Sequence, residues 1–191
     1  MKQNFVNMTD EELYTELGSS KKKVSKQAFD ELYSRYSVNV FAYCRKILNS
    51  EDAARDVFQE TFTRVFQTAK KNKVMTNFAG FIITIARNLC LNEKSKKKRV
   101  SVSLDDINLP SYDTSYGNKQ LEELLETALE DLPEEYREAL ILKEFMNMSY
   151  KQIAEILSTT LPVVRIRIYR AKNKLKELLS PYYNETENIL E

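Results

Sequence analysis

The sequence predicts an all-α protein made of two small helical domains on either side of a flexible linker, and three observations carry that prediction. Apolar residues recur at three- and four-residue spacing through most of the chain. Only three glycines and four prolines punctuate 191 residues, and alternating runs of Val, Ile and Thr are lacking. Between Val100 and Asn118 the period stops, in a stretch rich in Ser, Asp and Asn that also holds Pro110 and Gly117. The domains are therefore expected at 9–99 and 119–181, with the linker at 100–118.

Thr9 followed by Glu12 is a capping box, and Leu13, Tyr14 and Leu17 follow before Gly18 ends a short helix. GSSKKKVSKQ is expected to be a polar connector. Phe29, Leu32, Tyr33, Tyr36, Val40, Tyr43, Cys44 and Ile47 then mark a core helix, with a bend or break expected near Ser37 to Asn39. Asn49 or Ser50 caps the next helix, to about Lys70. Its apolar arc is Ala54, Val57, Phe58, Phe62, Val65 and Phe66, and this leaves Asp52, Asp56, Gln59 and Thr63 as a separate polar stripe with Glu60 beside it. Such a stripe is either a solvated face or an acidic ridge for a basic partner, and spacing does not separate the two.

KKNKVMTN reads as a polar loop, with Asn77 capping a helix from Phe78 to about Lys97. Phe78, Ile82, Ile85 and Leu89 point inward. Thr84, Arg87, Asn88 and Lys94 point away and lead into Lys96, Lys97, Lys98 and Arg99. A run of this kind is commonly a solvated terminus, but following an outward arginine it forms a phosphate-tracking surface.

In the second domain Leu121, Leu124, Leu125 and Ala128 start one helix. Pro133 with Glu134 and Glu135 opens another, whose buried side is Tyr136, Ala139, Leu140, Leu142 and Phe145. Ser149 and Gln152 form a second capping box before Ile153, Ile156 and Leu157. Ser158 and Thr159 interrupt, Thr160 caps a last helix, and Pro162 falls in its first turn, where a missing backbone donor costs little. Two helices and a short turn spell helix-turn-helix. On the second helix Val164, Ile168, Ala171, Leu175 and Leu178 share the buried face. Pro162, Val163, Ile166 and Tyr169 lie opposite, flanked by Arg165 and Arg170, with Arg167 nearer the edge. That face fits a major groove, with arginines for guanine edges or phosphates and apolar groups for thymine methyls. The alternative is a solvated basic face. Pro181 is expected to end the domain before a polar tail.

The net charge of +1 advertises no polyanion partner globally, yet the charges are segregated. Arg87 to Arg99 is basic, Glu122 to Glu144 acidic, and the last helix basic again, which suggests two contacts with a polyanion. With no histidine and only Cys44 and Cys90, the inventory holds no zinc site, disulfide framework or Cys/His nucleophile, so neither cofactor, metal nor catalytic residue is expected. No segment approaches the apolar length of a signal peptide or membrane span, and a reducing cytoplasm is the expected compartment.

Four segments in order, FDELYSRYSVNVFAYCRKIL, DAARDVFQETFTRVF, NFAGFIITIARNLCLNEKSKKKR and LEDLPEEYREALILKEFMNMSYKQIAEILSTTLPVVRIRIYRAKNKLKELL, resemble the two-domain RNA polymerase sigma factors of the extracytoplasmic-function (ECF) group. The combination of IARN before a basic run, QETF upstream, and LPEEYREAL before YKQIAEIL is specific. The resemblance implies a region 2 domain that binds core RNA polymerase and the minus-ten element, and a region 4 domain that reads the minus-thirty-five element. Asp52, Asp56, Gln59 and Glu60 would dock on the beta-prime clamp helices. Asn77, Thr84, Arg87, Asn88, Lys94, Lys96, Lys97, Lys98 and Arg99 would hold the melted strand. Thr160, Pro162, Val163, Arg165, Ile166, Arg167, Tyr169 and Arg170 would form the recognition surface. The beta flap and an anti-sigma factor are the other implied partners.

There are departures from the family pattern. Phe81 stands where a tryptophan is usual, Arg55 where an acid is common, and Ser158 where glycine is frequent in the turn. Pro162, Val163 and Ile166 replace a glycine, threonine and serine set. The rival reading is a stand-alone helix-turn-helix regulator that binds an operator as a dimer.

Overall fold

The computed structural model describes residues 5–71, 75–100 and 119–187, with side chains placed except at 97–100, 119–123 and 181–187. The described residues form helices and turns, and the chain divides into two compact units, Met1–Leu104 and Asp105–Glu191. The predicted linker lies outside the described residues beyond Val100, where the fourth helix ends.

In the first unit a short 3-10 turn, Phe5–Asn7, precedes α1 (Asp10–Leu17), α2 (Lys22–Leu48), α3 (Glu51–Ala69) and α4 (Phe78–Val100). The predicted capping box is present: the Thr9 hydroxyl accepts from the Glu12 amide at 3.2 Å, and the Glu12 carboxylate accepts from the Thr9 amide at 2.8 Å. Gly18 follows α1 in an ordinary right-handed conformation. Glycine is needed there because a Cβ would stand 2.6 Å from the Ala69 carbonyl oxygen, where the end of α3 crosses.

The expected polar connector is mostly helix, since α2 starts at Lys22. Ser25 and Ala28 supply the buried seam of its first turns, and the Ser25 hydroxyl donates to the Leu17 carbonyl at 2.7 Å. The expected break near Ser37 is absent. The helix runs through it unbroken, with Val38 directed to solvent and Val40 fully buried. Asn49, at φ 50°, ends α2, and the Ser50 hydroxyl caps α3. Asn77 caps α4 as predicted, its side-chain oxygen accepting from the Gly80 amide at 3.0 Å. Leu13, Leu17, Leu32, Val40, Tyr43, Val65, Phe78 and Ile82 are essentially inaccessible and form the core. Each such side chain contributes on the order of 1.5–3 kcal/mol relative to exposure.

The second unit comprises α5 (Lys119–Glu130), α6 (Glu134–Glu144), α7 (Tyr150–Ile156) and α8 (Leu161–Glu187). A one-sided stripe was expected on α6, but Ala139, Leu140, Ile141 and Leu142 are all buried, so this helix is the centre of its unit. Tyr136 and Phe145 are only half-buried. The second capping box is present, the Gln152 amide donating to the Ser149 hydroxyl at 3.3 Å and the Ser149 amide to the Gln152 side chain at 2.9 Å. Ser158 does take the left-handed conformation, at φ 50°.

α8 runs through Pro181 to Glu187. Proline removes the amide that would bond the carbonyl one turn back, that of Glu177. The Ser180 hydroxyl donates to that carbonyl at 2.9 Å, so the orphaned acceptor is satisfied and the helix proceeds.

Candidate nucleic-acid and polymerase interfaces

On α8, Val164, Ile168 and Ala171 are buried against the unit, as the helical period requires, while Leu175 and Leu178 are half-buried. The opposite face is open. Ile166 is 49% exposed and Tyr169 68%, with Pro162 and Arg165 also exposed and Val163 half-buried. Ile166 and Tyr169, three residues apart, thus form an apolar strip in water on a helix that buries its other face. Thr160 is exposed just before α8, and its carbonyl accepts the Val164 amide at 3.1 Å.

The arginines are not equivalent. Arg167 pairs with Glu135, in the first turn of α6, and its side chain is only 22% exposed. Arg170 is exposed and donates to the Tyr136 hydroxyl at 3.0 Å. Further along, Lys172 meets Glu144 at 2.8 Å, and the hydrogen bond to that carboxylate raises its pKa.

On α4, Thr84, Arg87, Asn88 and Lys94 follow at three-, four- and seven-residue steps and share one side. Thr84, Arg87 and Lys94 are half-buried and Asn88 is exposed. The Thr84 hydroxyl donates to the Gly80 carbonyl at 2.7 Å and Asn77 is engaged as the cap, so both shape the helix start. Lys96 is exposed and meets Glu93 at 3.2 Å. The side chains of Lys97, Lys98 and Arg99 lie outside the described residues. Phe81, in the usual place of a tryptophan, packs edge-on to Tyr14 with ring centroids 5.7 Å apart.

On α3, Asp52, Asp56, Gln59 and Glu60 are all exposed. Glu60 pairs with Arg64 one turn on at 2.7 Å. Arg55 is paired with Glu51, and this hydrogen bond holds the Glu51 carboxyl below its ordinary range. The arginine that departs from the family pattern is thus answered by its own helix.

Beside this stripe lies a groove of about 1020 Å³ between α2 and α3, lined by Phe29, Tyr33, Phe58, Phe62 and Phe66, with Gln59 on its wall. The helical period of α2 and α3 predicts all five rings in the core, and Phe62 is buried there. Tyr33 is instead 41% exposed, and Phe29, Phe58 and Phe66 are half-buried. The signal available in the sequence was the crowding of aromatics on two neighbouring helices, more ring area than one helix pair can enclose. Tyr33 and Phe62 stand 4.9 Å apart between centroids, and the Lys70 ammonium sits 4.4 Å over the Phe66 ring at the groove's end.

Among the described residues no group of three or more His, Cys, Asp or Glu side chains is placed to hold a metal ion. No helix among them is long and apolar enough to cross a membrane.

Comparison with known proteins agrees with this arrangement. The Sigma-70 region 2 family matches residues 32–100, and Sigma-70, region 4 matches residues 122–175. The ECF RNA polymerase sigma factor SigE of Mycolicibacterium smegmatis is 30% identical over 83% of this chain and 64% of its own length. The ECF RNA polymerase sigma factor EcfG of Rhodopseudomonas palustris is 30% identical over 72% of this chain and 77% of its own length. Among solved structures, the sigma factor RpoE of Bartonella quintana, crystallised with the anti-sigma factor NepR, superposes with a TM-score of 0.70 at 24% identity, covering 80% of this chain and 96% of that one. CnrH, solved with the cytosolic domain of CnrY, gives a TM-score of 0.67 at 22% identity over 90% of this chain and 97% of its own. With region 2 matching the unit that bears the α3 and α4 surfaces and region 4 matching the unit that bears α8, the chain belongs to the ECF RNA polymerase sigma factors.

Proposed function

We propose that the chain directs promoter-specific initiation through three surfaces. The exposed side of α3, with Asp52, Asp56, Gln59 and Glu60, docks on the beta-prime clamp helices of core RNA polymerase. The neighbouring aromatic groove extends that face with apolar area, which a partner helix can bury. Along α4, Thr84, Arg87, Asn88 and Lys94 hold the melted minus-ten strand, with Lys96, Lys97, Lys98 and Arg99 tracking phosphates. Asn77 fixes the start of that helix.

On α8, Arg165 and the apolar strip of Pro162, Val163, Ile166 and Tyr169 read the minus-thirty-five duplex in the major groove, with Thr160 and Arg170 at its flanks. The observation that carries this reading is the exposure of Ile166 and Tyr169 directly opposite buried Val164 and Ile168. Region 2 is assigned to 9–99, the linker to 100–118 and region 4 to 119–181, with the beta flap as the second contact on polymerase. An anti-sigma partner belongs to the same reading, since both solved neighbours were captured with a binding partner and one of these is named as an anti-sigma factor. The chain works in the cytoplasm and carries no catalytic chemistry of its own.

The test is run-off transcription with purified core polymerase on promoter fragments, with and without the chain. Site-specific initiation that depends on both the chain and core polymerase is the expected result. Tight operator binding by a dimer without polymerase would favour the stand-alone regulator instead.

A further inference from the structure

The start of α6 reaches across to α8 with two consecutive side chains, and they treat their arginines differently. Glu135 places a full negative charge on Arg167, whereas Tyr136 offers Arg170 a neutral hydroxyl at 3.0 Å. An arginine paired with a carboxylate brings little net charge to a phosphate, and holding that pair keeps its donors occupied. An arginine held by a phenol keeps its whole charge and gains only an orientation. Arg165, two residues before Arg167, points to the other side of α8, away from α6.

We propose that Glu135 and Tyr136 are positioning residues that set the specificity of the recognition helix. Glu135 withholds Arg167 from the DNA backbone, and Tyr136 aims Arg170 at a phosphate. Base reading is thereby left to Arg165 and the strip around Ile166 and Tyr169. The advantage is selectivity: phosphate contacts strengthen binding to every sequence alike, so each one suppressed lowers the sequence-independent background. Arg167 thus belongs to the recognition helix without being a DNA contact. This inference rests on the DNA-reading role of α8.

The experiment measures binding of the full chain to a labelled duplex pool of random sequence over a salt series. The slope of log K against log salt counts phosphate contacts, about 0.9 per contact. Glu135→Gln is expected to steepen the slope by about 0.9, because it frees Arg167. Arg167→Gln is expected to leave the slope as in the wild type, and Arg170→Gln to flatten it by about 0.9. A merely structural role for Glu135 would change thermal stability and leave the slope alone. If Arg167→Gln flattens the slope and Glu135→Gln does not steepen it, Arg167 is an ordinary phosphate contact and the proposal is overturned, while the role of α8 stands. Slopes that agree among the wild type and all three variants mean that α8 makes no phosphate contact, and that result overturns both.

Discussion

The Arg35 guanidinium of α2 donates to the Asp10 carboxylate of α1 at 2.7 Å, and the same guanidinium bonds the Val6 and Met8 carbonyls, so one side chain ties the N-terminal turn and the first helix to the second. Tyr36, the next residue, donates its hydroxyl to the other oxygen of Asp10. Burial, first, and the hydrogen bond to Asp10, second, push the Tyr36 pKa well above its ordinary value near 10. Below that value both the folded and unfolded chains keep the phenol proton, and the stabilisation is fully present. As pH rises past it the unfolded chain ionises first, and the stabilisation drains away toward the folded pKa. Tyr36→Phe should therefore cost about 1–3 kcal/mol at neutral pH. The gap between wild type and variant should narrow above about pH 10. Urea midpoints at pH 8 and pH 10.5 check it, and a gap that stays constant would contradict the assignment.

Gly18→Ala should destabilise the first unit despite alanine's better helix propensity. The methyl would stand 2.6 Å from the Ala69 carbonyl oxygen, a backbone atom that cannot swing aside. Relief demands that the ends of α1 and α3 separate, at a cost of about 1–3 kcal/mol. Propensity returns less than about 1 kcal/mol. Thermal melts of the two chains decide the sign.

The legible parts of this molecule are those where one residue type has one physical use. Thr9 with Glu12, Ser149 with Gln152 and Asn77 could be read as caps because their short polar side chains meet free amides at a helix start. The buried face of α8 followed from a period that Val164, Ile168 and Ala171 keep. What escaped the sequence involved a partner distant in the chain or a residue in an unusual role. Ser25 is polar and Ala28 small, so neither advertises the seam it buries, and the first turns of α2 read as a connector. Ser180 rescues the helix at Pro181 through a bond that no propensity encodes. The pairing of Glu135 with Arg167 joins residues a helix-turn-helix apart, and the aromatic groove is made by rings of two helices, α2 and α3, that the period of either one alone does not bring together.

Ser158 holds the turn of the helix-turn-helix at φ 50°, where a side chain clashes with its own backbone. Removing the Cβ relieves that strain, so Ser158→Gly should raise stability by about 1 kcal/mol, less the extra entropy glycine gives the unfolded chain. Ser158→Val, branched at Cβ, should lower it. Ser158 is exposed and outside the face that carries Ile166 and Tyr169, so the glycine variant should bind DNA as the parent does. Denaturant titration and the salt-series assay read these two effects separately.

On α3 the carboxylates of Asp56 and Glu60 should respond differently to substitution. Asp56 faces solvent on the docking side, while Glu60 already shares its charge with Arg64 at 2.7 Å. Asp56→Lys reverses a charge presented to a basic partner and should lower affinity for core polymerase at least tenfold, the effect of about 1.4 kcal/mol. Glu60→Gln removes a charge that is partly answered, and exposed pairs of this kind are worth at most about 1 kcal/mol, so it should weaken binding less. Neither side chain is buried, so both variants should melt like the wild type. Competition for labelled core polymerase measures the order: equal losses would mean that Glu60 exchanges Arg64 for the partner, and no loss from Asp56→Lys would remove this side of α3 from the polymerase interface.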